Sequence, residues 1–243
     1  MHIPRIYFPE ELSIGKKIIF NAEISRHLSL VLRVKIDDSI IIFNGFGGEF
    51  KARIFSVIKQ QVIAIIEKFV DKNTESPLEI HLLQGVSRGE KMDFTIQKAV
   101  ELGVTSITPM FTEYCNVKLP AERLENKLRH WRAIAIHAAE QSGRCFVPKI
   151  LNPISLRSLT SISFSGLKLV LVPGAENRLS DIIEKISKIT LLIGPEGGLS
   201  AIEVADILEQ QFLPIKLGPR ILRTETAGLV AISVLQSMWG DLS

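Results

Sequence analysis

The fold is decided by the stretch Leu191-Leu192-Ile193-Gly194-Pro195-Glu196-Gly197-Gly198-Leu199-Ser200 and by a later stretch of similar design, Leu217-Gly218-Pro219-Arg220-Ile221-Leu222-Arg223-Thr224-Glu225-Thr226-Ala227. In each, an apolar run leads into a turn of glycine and proline, and a helical pattern comes next. The apolar runs Ile189–Ile193 and Pro214–Leu217 are predicted strands. Turns at the carboxyl ends of neighbouring strands form a crevice, which is where open α/β sheets bind ligands. The pattern therefore predicts an α/β fold with a binding site at these turns.

Capping signals predict where the two helices begin. Ser200 followed by Glu203 has the spacing of a capping box, which predicts a helix over Ala201–Gln211. Thr224 is a suitable N-cap residue for a second helix over Glu225–Trp239. Apolar and small side chains lie on more than one side of that second helix. A helix of this kind packs against two partners.

The charge of the first turn limits the ligand that the crevice can bind. Glu196 lies inside the turn, where its carboxylate would repel a phosphate group. The chain also lacks the glycine-rich phosphate loops of nucleotide-binding proteins. A neutral or cationic ligand suits the site, and S-adenosylmethionine, which carries a sulfonium and no phosphate, meets that requirement. The alternative that glycine and proline only shape a βα turn stays open.

The composition is that of a globular protein of one or two domains. The chain has 243 residues, 46% of them hydrophobic, and a net charge of only +3. It has no apolar run of about eighteen residues and begins without the apolar region of a signal peptide, so we expect no membrane contact and a cytoplasmic location. Cys115 and Cys145 are too few and too far apart for a zinc site, so no metal is predicted.

Residues 1–72 are predicted to form a small β-barrel, because short β-branched or aromatic runs alternate with turn signals. The predicted strands are Ile3–Phe8, Lys16–Phe20, Ser39–Phe43, Glu49–Val57 and Val62–Phe69, with a helical excursion at Ser25–Leu32. Arg5, Arg26 and Arg33 give this domain a basic surface. From the pattern alone, a solvated barrel rim is the simpler interpretation of these arginines.

The polar stretch Asp71–Pro77 marks the domain boundary, with residues 73–77 as the linker and residues 78–243 as a second domain. Strands and helices alternate in this second domain. Its further elements are strands at Ile80–Gln84, Ser106–Met110 and Lys168–Val172 and helices at Met92–Leu102 and Ala121–Ser142. Arg88 and Lys91 can bind phosphate at the start of the first of these helices, or they are solvated turn residues. Arg144 can simply complement the negative end of the second helix.

Four separated blocks of the chain resemble the SPOUT methyltransferases and, more narrowly, the ribosomal RNA small subunit methyltransferase E family. The blocks are Ile3-Pro4-Arg5-Ile6-Tyr7 with His27-Leu28 through Val31-Leu32-Arg33, Gly89-x-Lys91-Met92-Asp93 through Gly103, Glu140-Gln141-Ser142-Gly143-Arg144 through Pro148, and the two stretches quoted first. The resemblance implies a SPOUT-type α/β domain with a C-terminal trefoil knot, preceded by a PUA-like β-barrel that binds RNA, in a homodimer. Physical reasoning alone predicts no knot, because true knots are nearly absent from proteins.

The resemblance also implies a reaction, which is methylation of N3 of a uracil in 16S ribosomal RNA of the small ribosomal subunit. The cofactor is S-adenosylmethionine. The residues expected at the cofactor are Leu171, Pro173, Gly194, Pro195, Glu196, Gly197, Gly198, Leu217, Gly218, Ile221, Leu222 and Thr224. The residues expected at the RNA are Arg5, Arg26, Arg33, Arg88, Lys91 and Arg144.

Arg223 and Glu225 are the predicted catalytic residues, because the proton on uracil N3 must be removed or the resulting anion stabilised. A fixed cation near the uracil oxygens stabilises that anion, and a carboxylate can accept the proton. Arg223 can instead form a structural ion pair with Glu196 or Glu225. The sequence departs from the family at Tyr114 and Val172, where arginine and histidine are common, so no catalytic histidine is assigned there.

Two other classes of protein are compatible with parts of the sequence. A non-catalytic RNA-binding chaperone would use the barrel and the basic loops, but it would have no need of the turns with Glu196 and Arg223. A nucleotide-dependent α/β enzyme would need a phosphate loop, which the chain lacks. Binding of S-adenosylmethionine, ATP or NAD distinguishes the three classes.

Overall fold

The structure, a computed structural model, describes residues 3–59, 61–115, 120–162 and 164–242. The chain divides into two compact units, which we call the N-terminal unit and the C-terminal unit. The N-terminal unit consists of Met1–Glu75 and Ala139–Val147, and the C-terminal unit consists of Ser76–Ala138 and Pro148–Ser243. The chain therefore returns once to the N-terminal unit, in a segment that the sequence analysis assigned to the second domain.

The N-terminal unit is built around a five-stranded sheet. Its strands are β1 (Arg5–Tyr7), β2 (Lys17–Ile19), β3 (Ser39–Phe43), β4 (Glu49–Ile58) and β5 (Gln61–Val70). They lie in the order β1-β3-β4-β5-β2, with β1 parallel to β3 and the other neighbours antiparallel. Helix α1 (Ala22–Arg26) continues into a short π-helix over His27–Val31, so the expected helical excursion is confirmed.

All five strands of this sheet contribute to one apolar core, although the sheet does not close. Examples of the buried side chains, one from each strand, are Ile6, Ile18, Ile42, Ile54 and Ala64. Leu28 of the π-helix joins this core and is fully buried. Within the described part of the chain no ladder joins β1 to β2, and each of these end strands has only three residues. The expected closed barrel is therefore open in its hydrogen bonding.

The C-terminal unit combines a sheet with helices. Its strands are β6 (Glu79–Gly85), β7 (Ser106–Phe111), β8 (Lys149–Ile150), β9 (Ile154–Ser155), β10 (Leu167–Leu171), β11 (Lys188–Ile193) and β12 (Leu213–Ile215). Its helices are α2 (Glu90–Glu101), α3 (Ala121–Ser142), α4 (Ala201–Glu209) and α5 (Thr224–Trp239), with short 3₁₀-helices at Leu156–Ser161 and Leu179–Asp181. The last residues of α3 belong to the N-terminal unit.

The sheet of the C-terminal unit has the order β12-β10-β11-β6-β7-β8, and β9 also pairs with β7. Every pair of neighbouring strands that the structure describes in it is parallel. The turns that follow β6, β10, β11 and β12 therefore all emerge at the same edge of the sheet. This is the crevice that the two quoted stretches predict.

Local signals predicted the start of α4 correctly and the start of α5 incorrectly. Ser200 and Glu203 form the expected capping box, with both of its hydrogen bonds. Thr224 is not the N-cap of α5. It is the first helical residue, and Arg223 occupies the N-cap position without a side-chain hydrogen bond. The reason is that the Thr224 hydroxyl bonds to a neighbouring turn instead, as described below.

Several other element boundaries differ from the expected ones by a few residues. Strand β12 ends at Ile215, and Lys216 forms an isolated bridge with Arg178. Helix α4 ends at Glu209, earlier than expected. Strand β3 and helix α3 have the expected bounds.

Candidate active site

Three turns enclose a pocket of about 670 Å³ in the C-terminal unit. They are residues 171–174 at the end of β10, 193–199 at the end of β11 and 215–224 after β12. The residues expected at the cofactor that line this pocket are Leu171, Pro173, Gly194, Pro195, Glu196, Gly198, Leu217, Gly218, Ile221, Leu222 and Thr224. Gly197 is in the second turn but is not among the lining residues.

Glycines allow the backbone to pack closely around the second turn. A Cβ atom on Gly197 would lie 2.7 Å from the carbonyl oxygen of Tyr114, and real Cβ atoms do not come this close. A Cβ atom on Gly85, at the end of β6, would lie 2.4 Å from the backbone nitrogen of Pro195. Gly198 has a φ of +75°, a conformation that favours glycine. Sequence reasoning missed Gly85, whose only signal is a glycine at the end of a strand.

Thr224 connects the start of α5 to two strands. Its hydroxyl donates a hydrogen bond to the carbonyl oxygen of Gly194 at 2.5 Å. It accepts one from Nε2 of Gln84 at 3.1 Å, and this amide also donates to the carbonyl oxygen of Gly85 at 3.1 Å. Gln84 is fully buried on β6, and the sequence analysis did not single it out. These bonds hold the backbone at Thr224 and therefore the position of Arg223, its neighbour in the chain.

Glu196 is neutralised in part by the loop that follows β6 and by the first turn of α2, which carries Lys91. The Lys91 Nζ atom lies 3.4 Å from its carboxylate, and the backbone N–H of Arg88 donates to the same oxygen at 3.3 Å. Lys91 also lines the pocket. The pocket edge therefore carries both signs of charge. From the sequence, Arg223 was the candidate partner of Glu196, and Lys91 was expected at the RNA.

The two predicted catalytic residues have different surroundings. Arg223 is exposed and lines the pocket. No ion pair of its guanidinium is found within the part of the chain that the structure describes, so neither structural pairing considered above is formed. Glu225 is half-buried and does not line the pocket. Its Oε2 atom is buried without a hydrogen-bond partner among the described residues, which is an unusual state for a carboxylate.

Arg5 and Arg144 are buried in ion pairs of the N-terminal unit. Arg5 pairs with Glu49, and the two side chains are 7% and 8% exposed. Arg144 pairs through two of its nitrogens with Glu75, and its side chain is 6% exposed. A buried, paired guanidinium is poorly placed for contact with an RNA phosphate. The burial of Arg5 and Arg144 therefore favours a structural role, while their expected contact with the RNA stays a prediction.

Hydrogen bonds attach the segment Ala139–Val147 to the N-terminal unit. The Glu140 carboxylate accepts the backbone N–H of Tyr7 at 2.9 Å, and Nη2 of Arg5 donates to the carbonyl oxygen of Arg144 at 2.9 Å. Burial raises the pKa of the Glu49 carboxyl, but the hydrogen bonds and charges of Arg5 and Lys72 outweigh it and leave this pKa below its usual value. The family-like block around Glu140 is thus part of the packing of this unit.

The remaining cations expected at the RNA are accessible. Arg26 and Arg33 are exposed in the N-terminal unit, and Arg88 is exposed in the C-terminal unit beside the pocket loop. Lys91 is half-buried and forms an ion pair with Glu196. The structure therefore separates three surface arginines from the buried pair described above.

The described ranges (3–59, 61–115, 120–162 and 164–242) contain neither a cluster of metal ligands nor a membrane-spanning helix. No group of three or more His, Cys, Asp or Glu residues there is placed to hold a metal ion. No helix there is long and apolar enough to cross a membrane.

Comparison with known proteins gives matches over both units. Residues 74–236 match the RNA methyltransferase domain family, and residues 20–67 match the RNA methyltransferase PUA domain family. The ribosomal RNA small subunit methyltransferase E of Buchnera aphidicola subsp. Schizaphis graminum is 43% identical over 242 residues, which cover 99% of this chain and 98% of the relative.

Solved structures agree with these matches. The ribosomal RNA small subunit methyltransferase E of Neisseria gonorrhoeae, bound to S-adenosylmethionine, is 41% identical and superimposes with a TM-score of 0.93 over 100% of both chains. A Legionella pneumophila protein solved in complex with bound S-adenosylmethionine is also 41% identical, with a TM-score of 0.96 over 100% of both chains. With a PUA-like N-terminal unit, an α/β methyltransferase unit and relatives that match from end to end, this chain belongs to the ribosomal RNA small subunit methyltransferase E family.

Proposed function

We propose that this protein transfers the methyl group of S-adenosylmethionine to N3 of a uridine in 16S ribosomal RNA of the small subunit. The observation that carries the proposal is the pocket between the three turns, which collects nearly all the residues expected at the cofactor. The family of the chain and the S-adenosylmethionine bound in two of its structural relatives support the same cofactor. A cytoplasmic location is part of the proposal, because the substrate is an intracellular RNA.

The groups of the pocket suit S-adenosylmethionine in size and charge. A volume of about 670 Å³ lies within the usual range for sites of small molecules. Leu171, Ile221 and Leu222 offer apolar side chains to a nucleoside, and the turns offer backbone groups. Lys91 and Glu196 together offer both signs of charge, which suits the zwitterionic amino-acid end of the cofactor better than a lone carboxylate would. When bound, S-adenosylmethionine supplies an electrophilic methyl group.

Arg223 is proposed to stabilise the anion that forms on the uracil when N3 loses its proton. It is suited to this because it is always charged, lines the pocket and has no ion pair among the described residues. Glu225 is proposed to accept the proton or to pass it on, since its buried Oε2 lacks a donor in the described part of the chain. The hydrogen bonds of Thr224 hold the backbone between these two residues.

Arg26, Arg33 and Arg88 are proposed to bind RNA phosphates. Each is exposed, and phosphate contacts position a protein on nucleic acid without reading its sequence. Lys91 is proposed to act at the edge of the pocket, where it pairs with Glu196, as well as near the RNA. A folded RNA must expose the target base before N3 can be reached, so a separate RNA-binding unit has a clear use.

We also propose a trefoil knot in the C-terminal unit. Strand β12 lies at the sheet edge beside β10, whereas Thr224 bonds to the ends of β11 and β6. Residues 216–223 must therefore cross the carboxyl end of β10, where the chain also leaves toward residues 172–187. The isolated bridge between Arg178 and Lys216 supports a passage of one segment along the other.

We further propose a homodimer that pairs through α5. Gly228, Ile232 and Leu235 are buried on the inner side of this helix. On another side, Val230, Val234 and Met238 follow one another at intervals of four residues and are 38%, 36% and 37% exposed. A second copy of the chain would cover this apolar stripe. Light scattering should report about twice the chain mass of 27.1 kDa, and a monomer at every concentration would contradict the dimer.

The test of the function uses the purified full chain and 16S ribosomal RNA, both naked and within small subunits. We expect transfer of a labelled methyl group from S-adenosylmethionine to one uridine, and mass analysis of the digested RNA should find the label on N3. Calorimetry should detect S-adenosylhomocysteine and neither ATP nor NAD. Transfer of the methyl group to a different atom, or binding of ATP or NAD in place of S-adenosylhomocysteine, would refute the proposal.

A further inference from the structure

Phe46 is a highly exposed phenylalanine in a loop whose shape is fixed by its neighbours. Its ring is 77% exposed at the tip of the loop Asn44–Gly48 in the N-terminal unit. A phenylalanine in a flexible loop could turn inward, but this loop is held in shape. The backbone N–H of Phe46 donates to Oδ1 of Asn44 at 3.2 Å, and the three loop glycines all have positive φ.

Three aromatic rings pack against the loop glycines. The contacts are Tyr7 on Gly45, Phe146 on Gly47 and Phe69 on Gly48, measured from the Cβ position of each glycine at 3.5, 3.4 and 2.5 Å. A side chain at Gly48 would therefore collide with the ring beside it. The loop glycines allow these rings to lie against the backbone, and the rings in turn restrict the loop. Phe46 is consequently presented to solvent by a rigid support.

Two of the supporting rings are themselves partly exposed. Phe69 is 42% exposed and Phe146 is 39% exposed, and both lie against the loop that carries Phe46. We call Phe46, Phe69 and Phe146 the aromatic patch. Phe146 comes from the returning segment Ala139–Val147, so that segment contributes to the patch as well as to the buried ion pairs. Grouped exposed aromatic rings mark binding surfaces more often than single apolar residues do.

Two cations share one carboxylate near the patch. Arg5 and Lys72 both pair with Glu49, while Arg144 pairs with Glu75. The two arginines are buried, whereas the Lys72 side chain is 35% exposed. Its Nζ lies 3.2 Å from Glu49, the residue after the loop, and 3.8 Å from the Cβ position of Gly143. Lys72 therefore brings a partly exposed positive charge next to the residue that follows the loop of Phe46.

We propose that the aromatic patch is a binding site for an unpaired nucleobase of the RNA substrate, stacked on Phe46, with Lys72 at the adjoining phosphate. Proteins recognise single-stranded RNA by stacking bases on aromatic side chains, while cations follow the backbone. An exposed, rigid ring beside an accessible cation provides both elements. The proposal rests on the proposed function only in taking RNA as the substrate.

The test measures binding of the full chain to a uridine-rich single-stranded RNA oligonucleotide that contains 2-aminopurine, whose fluorescence is quenched by stacking. Phe46→Ala should weaken binding about tenfold and reduce the quenching. Phe46→Trp should restore both. Ile14→Ala is the matched control, because Ile14 is 65% exposed in the same unit and lies outside the patch. Lys72→Gln should reduce the slope of affinity against salt by about 0.7, the value for one phosphate contact on a single strand.

Three results would overturn the inference. They are equal affinity of Phe46→Ala and wild type, equal binding of a fully paired RNA duplex, and loss of self-association in Phe46→Ala with RNA binding intact. The last result would assign the patch to a second copy of the chain. Methyl transfer by the wild type is measured in parallel, because failure of the proposed function abolishes transfer, whereas failure of this inference leaves it unchanged. The melting temperature of Phe46→Ala should stay at the wild-type value, since the ring is mostly exposed.

Discussion

The two units use arginine in opposite ways. In the N-terminal unit Arg5 and Arg144 are buried in ion pairs with Glu49 and Glu75, and the pair of Arg144 attaches a returning segment of the chain. In the C-terminal unit Arg223 is exposed at a pocket formed largely by backbone turns, without an ion pair in the described part of the chain. All three lie in blocks that resemble one family. The comparison teaches that a family-like arginine is a structural or a chemical residue according to its burial and its partners.

The largest expected effect tests the buried side of this comparison. Arg144→Ala leaves the carboxylate of Glu75 mostly buried and without its partner. Breaking a buried ion pair in this way costs about 3 to 5 kcal/mol, so urea unfolding of the N-terminal unit should begin at a much lower concentration. Arg144→Lys should recover only part of the loss, because an ammonium cannot reproduce the two guanidinium bonds.

Arg132→Ala is the matched control for this prediction. Arg132 lies on α3, the helix that precedes Arg144, and is exposed, so its replacement should change the free energy of unfolding by less than about 0.5 kcal/mol. If Arg144→Ala and Arg132→Ala unfold alike, the ion pair contributes nothing. Arg144 would then return to the set of residues proposed for RNA.

The next effect tests the exposed arginine. Arg223→Ala should lower the single-turnover rate roughly a hundredfold to a thousandfold, by analogy with the loss of one oxyanion-hole donor. Affinity for RNA and cofactor and the melting temperature should change little, because the charge acts mainly in the transition state. Raising the pH should restore part of the rate, since uracil loses its N3 proton in alkali without help.

Arg157→Ala controls for the loss of a positive charge from the same unit, since Arg157 is exposed and outside the pocket lining. A structural role for Arg223 predicts a different pattern. Its removal would then lower the melting temperature and cofactor affinity together, and alkaline pH would not help. A normal single-turnover rate at neutral pH would end the catalytic assignment.

A smaller effect tests whether backbone packing shapes the pocket. A Cβ at Gly197 collides with the backbone of Tyr114, so Gly197→Val should displace the second turn and abolish cofactor binding. S-adenosylhomocysteine at a hundred times its Kd should stabilise the wild type by about 2.7 kcal/mol and this variant not at all. Gly228→Ala is the control, because its Cβ would make ordinary contacts at 3.5 Å. If S-adenosylhomocysteine stabilised a folded Gly197→Val variant as much as the wild type, the cofactor would not bind at this turn.

The smallest effect concerns pH and sharpens the account of the buried pairs. Because the folded pKa of Glu49 is lowered, its contribution to stability is present above the unfolded pKa of about 4.3 and is lost as the pH falls through the folded value. The difference in free energy of unfolding between wild type and Glu49→Gln should therefore shrink as the pH falls below about 4.3. Glu11→Gln, at an exposed position of the same unit, should show no such trend. A difference that stays constant with pH would contradict the lowered pKa.

The sequence was sufficient wherever the signal is local in the chain. The capping box at Ser200, the bounds of β3 and α3 and two of the three pocket turns all follow from short patterns. It was insufficient where a side chain chooses between a local and a distant partner. Thr224 has the features of an N-cap residue, but its hydroxyl bonds to Gly194, thirty positions away in the chain. Gln84 has no local signal at all.

The sequence by itself determined the alternation of strands and helices, the family and the turns that form the pocket, because apolar periodicity and glycine or proline at turns act over a few neighbouring residues. Only the tertiary structure decided which charges are buried. Arg5 and Glu49 lie 44 positions apart, and Arg144 and Glu75 lie 69 positions apart. The pairing of Arg144 depends on the return of residues 139–147 to the N-terminal unit, which no local pattern encodes. The cost of burying an unpaired charge explains why those buried arginines are paired, whereas the exposed Arg223 is the arginine that we propose for chemistry.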